Sequence, residues 1–540
     1  MEIHRAFFKE HIEKGVKQFL FLCIVAFLFS GCATNQNRES ITIAMPQGEY
    51  IRNLDDNYYL RWLEEKSGLE LNFVLLDDAY AQTQLDAAFA SGSADVDAFF
   101  AFDTGGDYRT QLNKLQEYAD AGYILPIDPY LDNESNLSRA FDAFDAYDLR
   151  DAMTGRDGQL YFYPGLDTSS AKETGSILWL NKNWLSNLSL PVPTTTDELR
   201  DVLMAFKTGD PNGNGVADEI PLCGSAVPYG QQCWLNLINA FTFDDPENSR
   251  LIVEDGQIVF APQTDDWREA MIYLNDLYTK ELIDPMALTL SPRSLLDLAN
   301  SPSDILGGFT ADELTDVALQ NSSEILSKYI HVAPLTGPDG KRRALGKTVL
   351  PTIAGVISAS CENPEAVVRL FDLMLSEEAF LIGRYGEENV DWARGGVTDM
   401  DFYGNPASVR VINRLNERVQ NKQISELGPY FAWQSLADSV SYTGFDSDAA
   451  YIDARAHLAY VPFVPKENIG ALLVSASFSE DMQQLRRQID AYTDQCIIDF
   501  MTGVCDPSDE AQWAEVQKAY KDMGIDELVS SVQAVYDVNR

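Results

Sequence analysis

The chain holds 540 residues, too many for one hydrophobic core and enough for two or three domains. It carries 83 acidic against 40 basic side chains, a formal net charge of −43. A field of that sign repels nucleic acid and anionic lipid, which argues against a polyanionic partner. With four histidines, no H-E-x-x-H and no G-x-S-x-G, zinc-peptidase and serine-hydrolase chemistry lack their parts.

The first element is apolar. Phe19 to Phe29 (FLFLCIVAFLF) is an unbroken run of 11 residues behind Arg5, Lys9, Lys14 and Lys17, and Ser30-Gly31 follow it. A helix that crosses a bilayer needs roughly 20 apolar residues, whereas a shorter run between basic and small residues is a secretory signal. Ending that signal in Ser30-Gly31-Cys32 resembles the lipobox of bacterial lipoproteins, although Phe29 stands where those proteins usually place Leu. The resemblance makes residues 1–31 a signal peptide, Cys32 the lipidated first residue of the mature chain, and 32–40 a small polar tether. The body then sits on the extracellular face of a bacterial cell membrane. Each buried methylene gives about 0.8 kcal/mol, so two or three acyl chains hold where one lets go. An ordinary secretory signal with an incidental cysteine is the alternative.

Without the leader's four basic and three acidic residues, 36 and 80 remain. Cys223, Cys233, Cys361, Cys496 and Cys505 accompany Cys32, an odd number that cannot all pair internally. Cys223/Cys233 and Cys496/Cys505 are close enough in sequence to form bridges. With no C-x-x-C, and only His331 and His457 beyond the leader, zinc spacing is missing.

Ile41 to Met45 alternates like a strand. After Asp55-Asp56 a helical pattern places Tyr59, Trp62 and Leu63 on one face, with Gly68 as its stop. Leu69–Leu76 reads as a strand, Gln82–Ser91 as a helix and Val96–Phe102 as another strand. That alternation is the spacing of βαβ units and predicts a mainly parallel, covered sheet. Ligands collect at the carboxyl ends of such strands, so Asp103 and the residues after it are either ligand contacts or a simple turn. Gln111–Ala121 is predicted helical, and Tyr161–Pro164 and Ile177–Leu180 are strand-like, with a crossing to a second lobe near them. Thr195 with Glu198 three residues on can cap an amphipathic helix that runs to Phe206.

The lipobox, the βαβαβ opening, LWLNKNWL (178–185) and LPVPTTTDEL (190–199) leading to DPNGNGVADEIP (210–221) resemble extracellular solute-binding proteins of carbohydrate ABC importers. LPTIAGVISASCENPEAVVRLFDLMLSEEAF (350–380) is similar to the stretch where such proteins re-enter their first lobe. The resemblance implies an α/β, two-lobe periplasmic-binding-protein-like fold of type II, with a ligand cleft between the lobes and hinge crossings. It assigns 41–165 to lobe 1, 166–345 to lobe 2, 346–415 to the return into lobe 1, and 416–540 to the completion of lobe 2 and its terminal helices. It further implies a monomeric binder, not an enzyme, that passes an oligosaccharide or related solute to a membrane permease. Two rivals share the chain's features: an anchored glycoside hydrolase, which needs only a suitably spaced carboxylate pair, and a sensor module that presents its ligand to a receptor.

Asp210 to Glu219 is the most legible motif. Oxygen donors at steps 1, 3, 5 and 9 (Asp210, Asn212, Asn214, Asp218), with glycines between, follow the opening of an EF-hand loop, and the Val216 carbonyl takes the seventh position. Step 12 is Pro221 rather than the bidentate Glu. The relatives the chain resembles use the acid directly after the ninth position, here Glu219. A structural Ca²⁺ is the expectation, with a solvated Asp/Asn/Gly turn as its rival.

A glycan site needs aromatic plates flanked by carboxylates or amides. Aromatics next to Gly, Pro or polar breaks are candidates because loops carry binding: Tyr163, Trp234, Phe309, Trp392 and Trp433. Trp62 and Trp184 lie inside helical patterns and are expected in the core. Phe478 to Arg540 reads as packing helices, with a stop at Gly503.

Overall fold

Apolar residues gather into two separate cores, one holding Ile43, Phe99, Phe162, Val356 and Phe371, the other Trp179, Trp184, Phe206, Trp267 and Phe309. The computed structural model describes residues 38–539 apart from 49–50, 77–82, 85–86, 88–95, 103–104, 106–107, 145–146, 319–322, 414, 416–418, 425–426, 443–448, 468, 471–472 and 474–479. The chain enters lobe 1 with strands β1 (Ser40–Pro46), β2 (Glu70–Leu76), β3 (Ala98–Phe100) and β4 (Phe162–Asp167). It crosses to lobe 2 with β5 (Ile177–Asn181), the hairpin β6 (Leu251–Glu254) and β7 (Gln257–Phe260), then β8 (Gly308–Ala311) and β9 (Tyr329–Val332). It returns to lobe 1 with β10 (Thr352–Ile357), β11 (Trp392–Arg394), β12 (Val409–Val411), β13 (Tyr430–Ala432) and β14 (Val440–Ser441), then crosses once more to lobe 2.

The lobe 1 sheet has the order β13-β4-β10-β3-β1-β2. β1 runs parallel to β2 and β3, and β13 parallel to β4, but β10 lies antiparallel between β3 and β4. The exception follows from connectivity. β4 leaves lobe 1 from its carboxyl end, where the parallel β13 also ends, and β10 enters at that same edge, so it must run the other way. All the crossings therefore meet where β1 and β3 also end. The lobe 2 sheet, β8-β5-β9, is wholly antiparallel.

Local signals act where the sequence has them. The first helix, Tyr58–Ser67, follows Asp55-Asp56 as expected, is capped by the Asn57 side chain, which accepts from Tyr59 N and Leu60 N, and ends on Gly68 at φ +74°. Thr195 Oγ1 accepts from Glu198 N at 3.1 Å, while the Glu198 carboxylate reaches back to Thr194 N at 2.8 Å; the capping box is split over two threonines. Trp184 is buried as expected. The terminal helices Glu480–Thr502, Glu510–Met523 and Ile525–Asn539 pack on lobe 2. The helix expected over 82–91 lies largely outside the described residues. Among the described residues no helix is long and apolar enough to cross a membrane.

One boundary needs correction. The return into lobe 1 runs past 415, because Phe431, Trp433 and Val440 belong to the lobe 1 core and β13 pairs with β4. Three- and two-residue strands leave no periodicity to read, which is why the sequence did not mark them.

Candidate ligand-binding cleft

The cleft floor is made by the crossings. On the first, Thr168–Ser176, and the second, Ala344–Leu350, Thr174 bridges Gly346, and Lys347 N donates to Glu173 O at 2.8 Å. The first is also tied to the start of the third: Ser170 N and Oγ donate to the two oxygens of Asp438 at 3.0 and 2.6 Å. Thr174 Oγ1 lies 2.6 Å from His457 Nδ1, and burial pushes that imidazole down to about 4. It is therefore neutral at ordinary pH.

Above this floor lie two compartments of about 770 and 650 Å³, both with walls from lobe 1 and lobe 2. In the larger, Phe144 and Tyr147 face Phe243, Asp245 and Ile252. Phe144 and Tyr147 are edge-to-face at 4.8 Å, and Tyr147 OH donates to Val349 O at 2.7 Å, which fixes the ring against the second crossing. In the smaller, Tyr108, Arg109 and Asn113, from the helix Tyr108–Asp120 that follows the carboxyl end of β3, face Tyr229, Arg486 and Asp490. Aromatic rings, carboxylates, amides and guanidinium groups together match the apolar CH faces and the hydroxyls of a sugar.

The lobe 2 wall is a shaped turn. Asp245 accepts from Glu247 N at 2.9 Å and Arg250 N donates to Asp245 O at 2.8 Å, while Ser249 and Arg250 both adopt positive φ (53° and 55°). Two consecutive left-handed residues without glycine are strained and need to be held. Arg250 does the holding: it is fully buried, 3.3 Å from Asp244 and 2.6 Å from Asp494. Trp267 Nε1 donates to Asp244 at 2.7 Å. Burial raises the Asp245 carboxyl to about 7 and the Asp490 carboxyl to about 6. Both therefore hold a proton more readily than an ordinary carboxyl, Asp245 more so than Asp490, and a protonated carboxyl can donate to a hydroxyl as well as accept from one.

The aromatics chosen from the sequence are elsewhere. Tyr163 and Phe309 are 0% exposed, Trp392 2%, Trp234 5% and Trp433 7%, and all pack inside the two cores. Trp392 Nε1 donates to Gly386 O and Trp433 Nε1 to Leu375 O, both at 2.9 Å, so even their polar handles are spent internally. The neighbouring Gly, Pro and polar residues marked ends of short strands at Phe309, Trp392 and Trp433, while Tyr163 and Pro164 lie within β4 and Trp234 within the helix Cys233–Asn239; none is an exposed loop. Asp103, like Cys32, lies outside the described residues. The cleft aromatics Tyr108, Phe144, Tyr147, Tyr229 and Phe243 were not singled out; the signal available was a Phe or Tyr close to an Asp- or Pro-containing break, as in Phe243-Asp244-Asp245-Pro246.

The acidic loop lies apart from the lining of both compartments, on lobe 2 after the helix Thr196–Thr208. Ile220 ties its end to the core through bonds with Ile305 O and Gly307 N, both 2.8 Å. Asn214 Nδ2 donates to Asp218 at 3.0 Å, and Gly215 N donates to Asp210 at 3.2 Å. Among the described residues no three carboxylate, histidine or cysteine side chains already converge as a metal cluster. The donor set nevertheless fits a hard cation. Glu219 Oε1 is buried without a hydrogen-bond partner. Burial first, then the charges of Asp218 and Asp210, raise its pKa, which is the signature of an acid short of positive charge.

Residues 48–379 match the family described as bacterial extracellular solute-binding protein. The fructooligosaccharide ABC transporter substrate-binding protein FusA of Streptococcus pneumoniae is 27% identical over 303 residues, 53% of this chain and 51% of its own, so the match spans about half of that relative. Lipoprotein LipO of Bacillus subtilis is 24% identical over 389 residues, 68% of this chain and 72% of its own. A solved solute-binding protein of Bifidobacterium longum infantis, described as HMO-binding and ABC-transporter-associated, shares the fold at a TM-score of 0.69 and 18% identity, over 93% of this chain and 99% of its own. The family match covers more than half of the chain, and with the two-lobe fold it establishes that this protein belongs to the bacterial extracellular solute-binding proteins, a family of binders rather than enzymes.

Proposed function

We propose that the protein captures an oligosaccharide outside the cell and hands it to the permease of an ABC importer. The interlobe cleft carries the reading: it is floored by the crossings, walled by aromatics and polar groups from both lobes, and larger than a monosaccharide needs. FusA, named for fructooligosaccharide, makes inulin-type fructans the first ligands to try. The mechanism is hinge closure. A glycan that touches both walls binds the closed form better than the open one and shifts the population towards it, and the permease recognises that form. The chain acts as a monomer held at the membrane by acyl groups on Cys32. On lobe 2 a structural Ca²⁺ is held by side-chain oxygens of Asp210, Asn212, Asn214, Asp218 and Glu219 and by the Val216 carbonyl. It neutralises the loop's three carboxylates and does not meet the ligand.

Thermal unfolding of the secreted chain carrying Cys32→Ala, across a panel of fructans, galacturonides and mannosides, tests this. A ligand at about 100 times its Kd adds roughly 2.7 kcal/mol. Stabilisation by one glycan class without new reducing ends supports the reading. Product release refutes it in favour of a hydrolase, and indifference to every sugar refutes the carbohydrate assignment.

A further inference from the structure

The two compartments differ in charge. Among the described residues the larger is lined by Glu173, Asp245, Asp255 and Glu467 against Lys347 and Lys466, and Lys347 already pairs with Asp312. The smaller reverses the balance, with Arg109, Arg486 and Arg487 against Glu247 and Asp490. In a chain with 83 acidic and 40 basic side chains, three guanidinium groups on one cavity concentrate the scarcer sign. Asn248, Thr348 and Gly470 close the wall between the compartments: a methyl group built on Gly470 would collide with Thr348 Oγ1 and lie 2.6 Å from Asn248 Oδ1. The acids of the larger compartment stay behind that wall.

The guanidinium groups come from opposite sides of the cleft. Arg109 stands on the lobe 1 helix Tyr108–Asp120, and Arg486 and Arg487 stand on the lobe 2 helix Glu480–Thr502. Asp490, on that same lobe 2 helix, is held within its own lobe: Ser249 Oγ donates to Oδ2 at 3.2 Å, and Arg486 Nε donates to Ser249 Oγ at 3.1 Å. Asp490 Oδ1 is buried without a hydrogen-bond partner, an acceptor for a sugar hydroxyl. Tyr108 and Tyr229 add rings for the apolar face of a sugar. Like charges carried by both lobes oppose each other as the cleft narrows. An oxyanion between them turns that repulsion into charge-assisted hydrogen bonds, for which the planar guanidinium fork is suited.

From this geometry, and resting on the oligosaccharide reading above, we infer that the smaller compartment selects an acidic glycan: a sugar residue bearing a carboxylate or a sulfate ester sits between Arg109 and the Arg486–Arg487 pair. The anion binds the closed form more tightly than the open one, so its charge drives closure. A neutral fructan of the same length lacks that charge and is the poorer ligand.

The test is calorimetric titration of the secreted chain with α-1,4-galacturonide trisaccharide, its methyl ester, galactan oligosaccharides with and without sulfate esters, and inulin-type fructans of the same length. One acidic arm should bind about ten-fold or more tighter than its uncharged counterpart, and which arm does so names the anion. Its affinity should fall as salt rises. Arg109→Gln and Arg487→Gln should each cut the acid-to-neutral affinity ratio by about five-fold or more, and Arg487→Glu should erase it. Arg486 is left in place because it holds Ser249. Unfolding curves of each variant separate a lost charge from a misfolded chain. A neutral glycan that binds at least as tightly as both acidic arms overturns the inference while leaving the receptor reading intact, as does a ratio that survives Arg487→Glu in a folded protein. Failure of every arm to bind removes the receptor reading, and the inference with it.

Discussion

Glu219 makes the calcium proposal quantitative, because substitution and metal should act on it with opposite signs. Oε1 is buried without a partner. An unsatisfied buried acceptor costs about 1–3 kcal/mol, taken at the low end here because the rest of the side chain is partly exposed. Glu219→Gln keeps a polar atom there but removes the charge that burial, Asp218 and Asp210 disfavour, and should therefore raise calcium-free stability by up to about 1 kcal/mol. It should also remove a charged ligand and so reduce the stabilisation by calcium, which for the wild type is roughly 2.7 kcal/mol at 100 times the Kd. That is a rise in Tm of about 5–10 °C for a cooperative unit of some 150–250 residues. The pH dependence has a definite sign. The folded, calcium-free protein binds the Glu219 proton more tightly than the unfolded chain does, so stability is fullest below the ordinary carboxyl value of 4.5 and falls as pH rises through the elevated folded pKa. Calcium binds the ionised form, and its stabilisation should grow across that window. The assay is thermal unfolding in EDTA and in calcium, from about pH 4 to about pH 8. Identical melting in EDTA and calcium refutes the metal site. Equal calcium stabilisation of wild type and Glu219→Gln refutes Glu219 as a ligand.

Three further outcomes are expected. Arg250→Met leaves Asp244 buried without its counter-charge and should cost about 3–5 kcal/mol in denaturant unfolding; adding Asp244→Leu should recover part of the loss. Asp453 accepts from Leu314 N and Thr315 Oγ1 and faces Glu313 and Asp316; burial raises its carboxyl to about 8. Its contribution is complete below about pH 4 and lost as pH rises towards 8, so Asp453→Asn should flatten the fall in Tm over that range. Trp392→Ala and Phe309→Ala should each destabilise by about 3–5 kcal/mol, with ligand affinity unchanged in whatever fraction stays folded.

The parts of the fold that were legible in the sequence are those governed by local rules. The first βαβ pattern, the Thr195–Glu198 helix start and the three terminal helices all follow from periodicity and capping over ten or more residues. The acidic loop was legible as a set of spacings, since Asp/Asn oxygens and glycines must alternate for a chain to curl around one point. The cleft was not. Its walls come from residues as far apart as Tyr108, Phe243, Lys347 and Arg487, and nothing local to any of them records that they meet. Aromatics misled for a related reason. β11 begins with Trp392 and β13 ends just before Trp433, and a three-residue strand flanked by Gly or Pro looks, in sequence, like a loop.

Separate cores and polar crossings together explain how such a cleft can move. Among the described residues neither hydrophobic cluster extends across the junction. The crossings meet through Ser170 and Asp438, Thr174 and His457, and backbone bonds between 173–175 and 345–347. Bending there exchanges hydrogen bonds with water, at a net worth of only about 0.5–1.5 kcal/mol each, and leaves the apolar surface of both lobes covered. Open and closed forms can then lie within a few kcal/mol of each other, which is the range a ligand's differential affinity can span. The strained Ser249–Arg250 turn is buttressed from within lobe 2, by Asp244 and Asp494, rather than across the junction. The ligand wall is therefore rigid and the joint beneath it soft, the division of labour that recognition by closure requires.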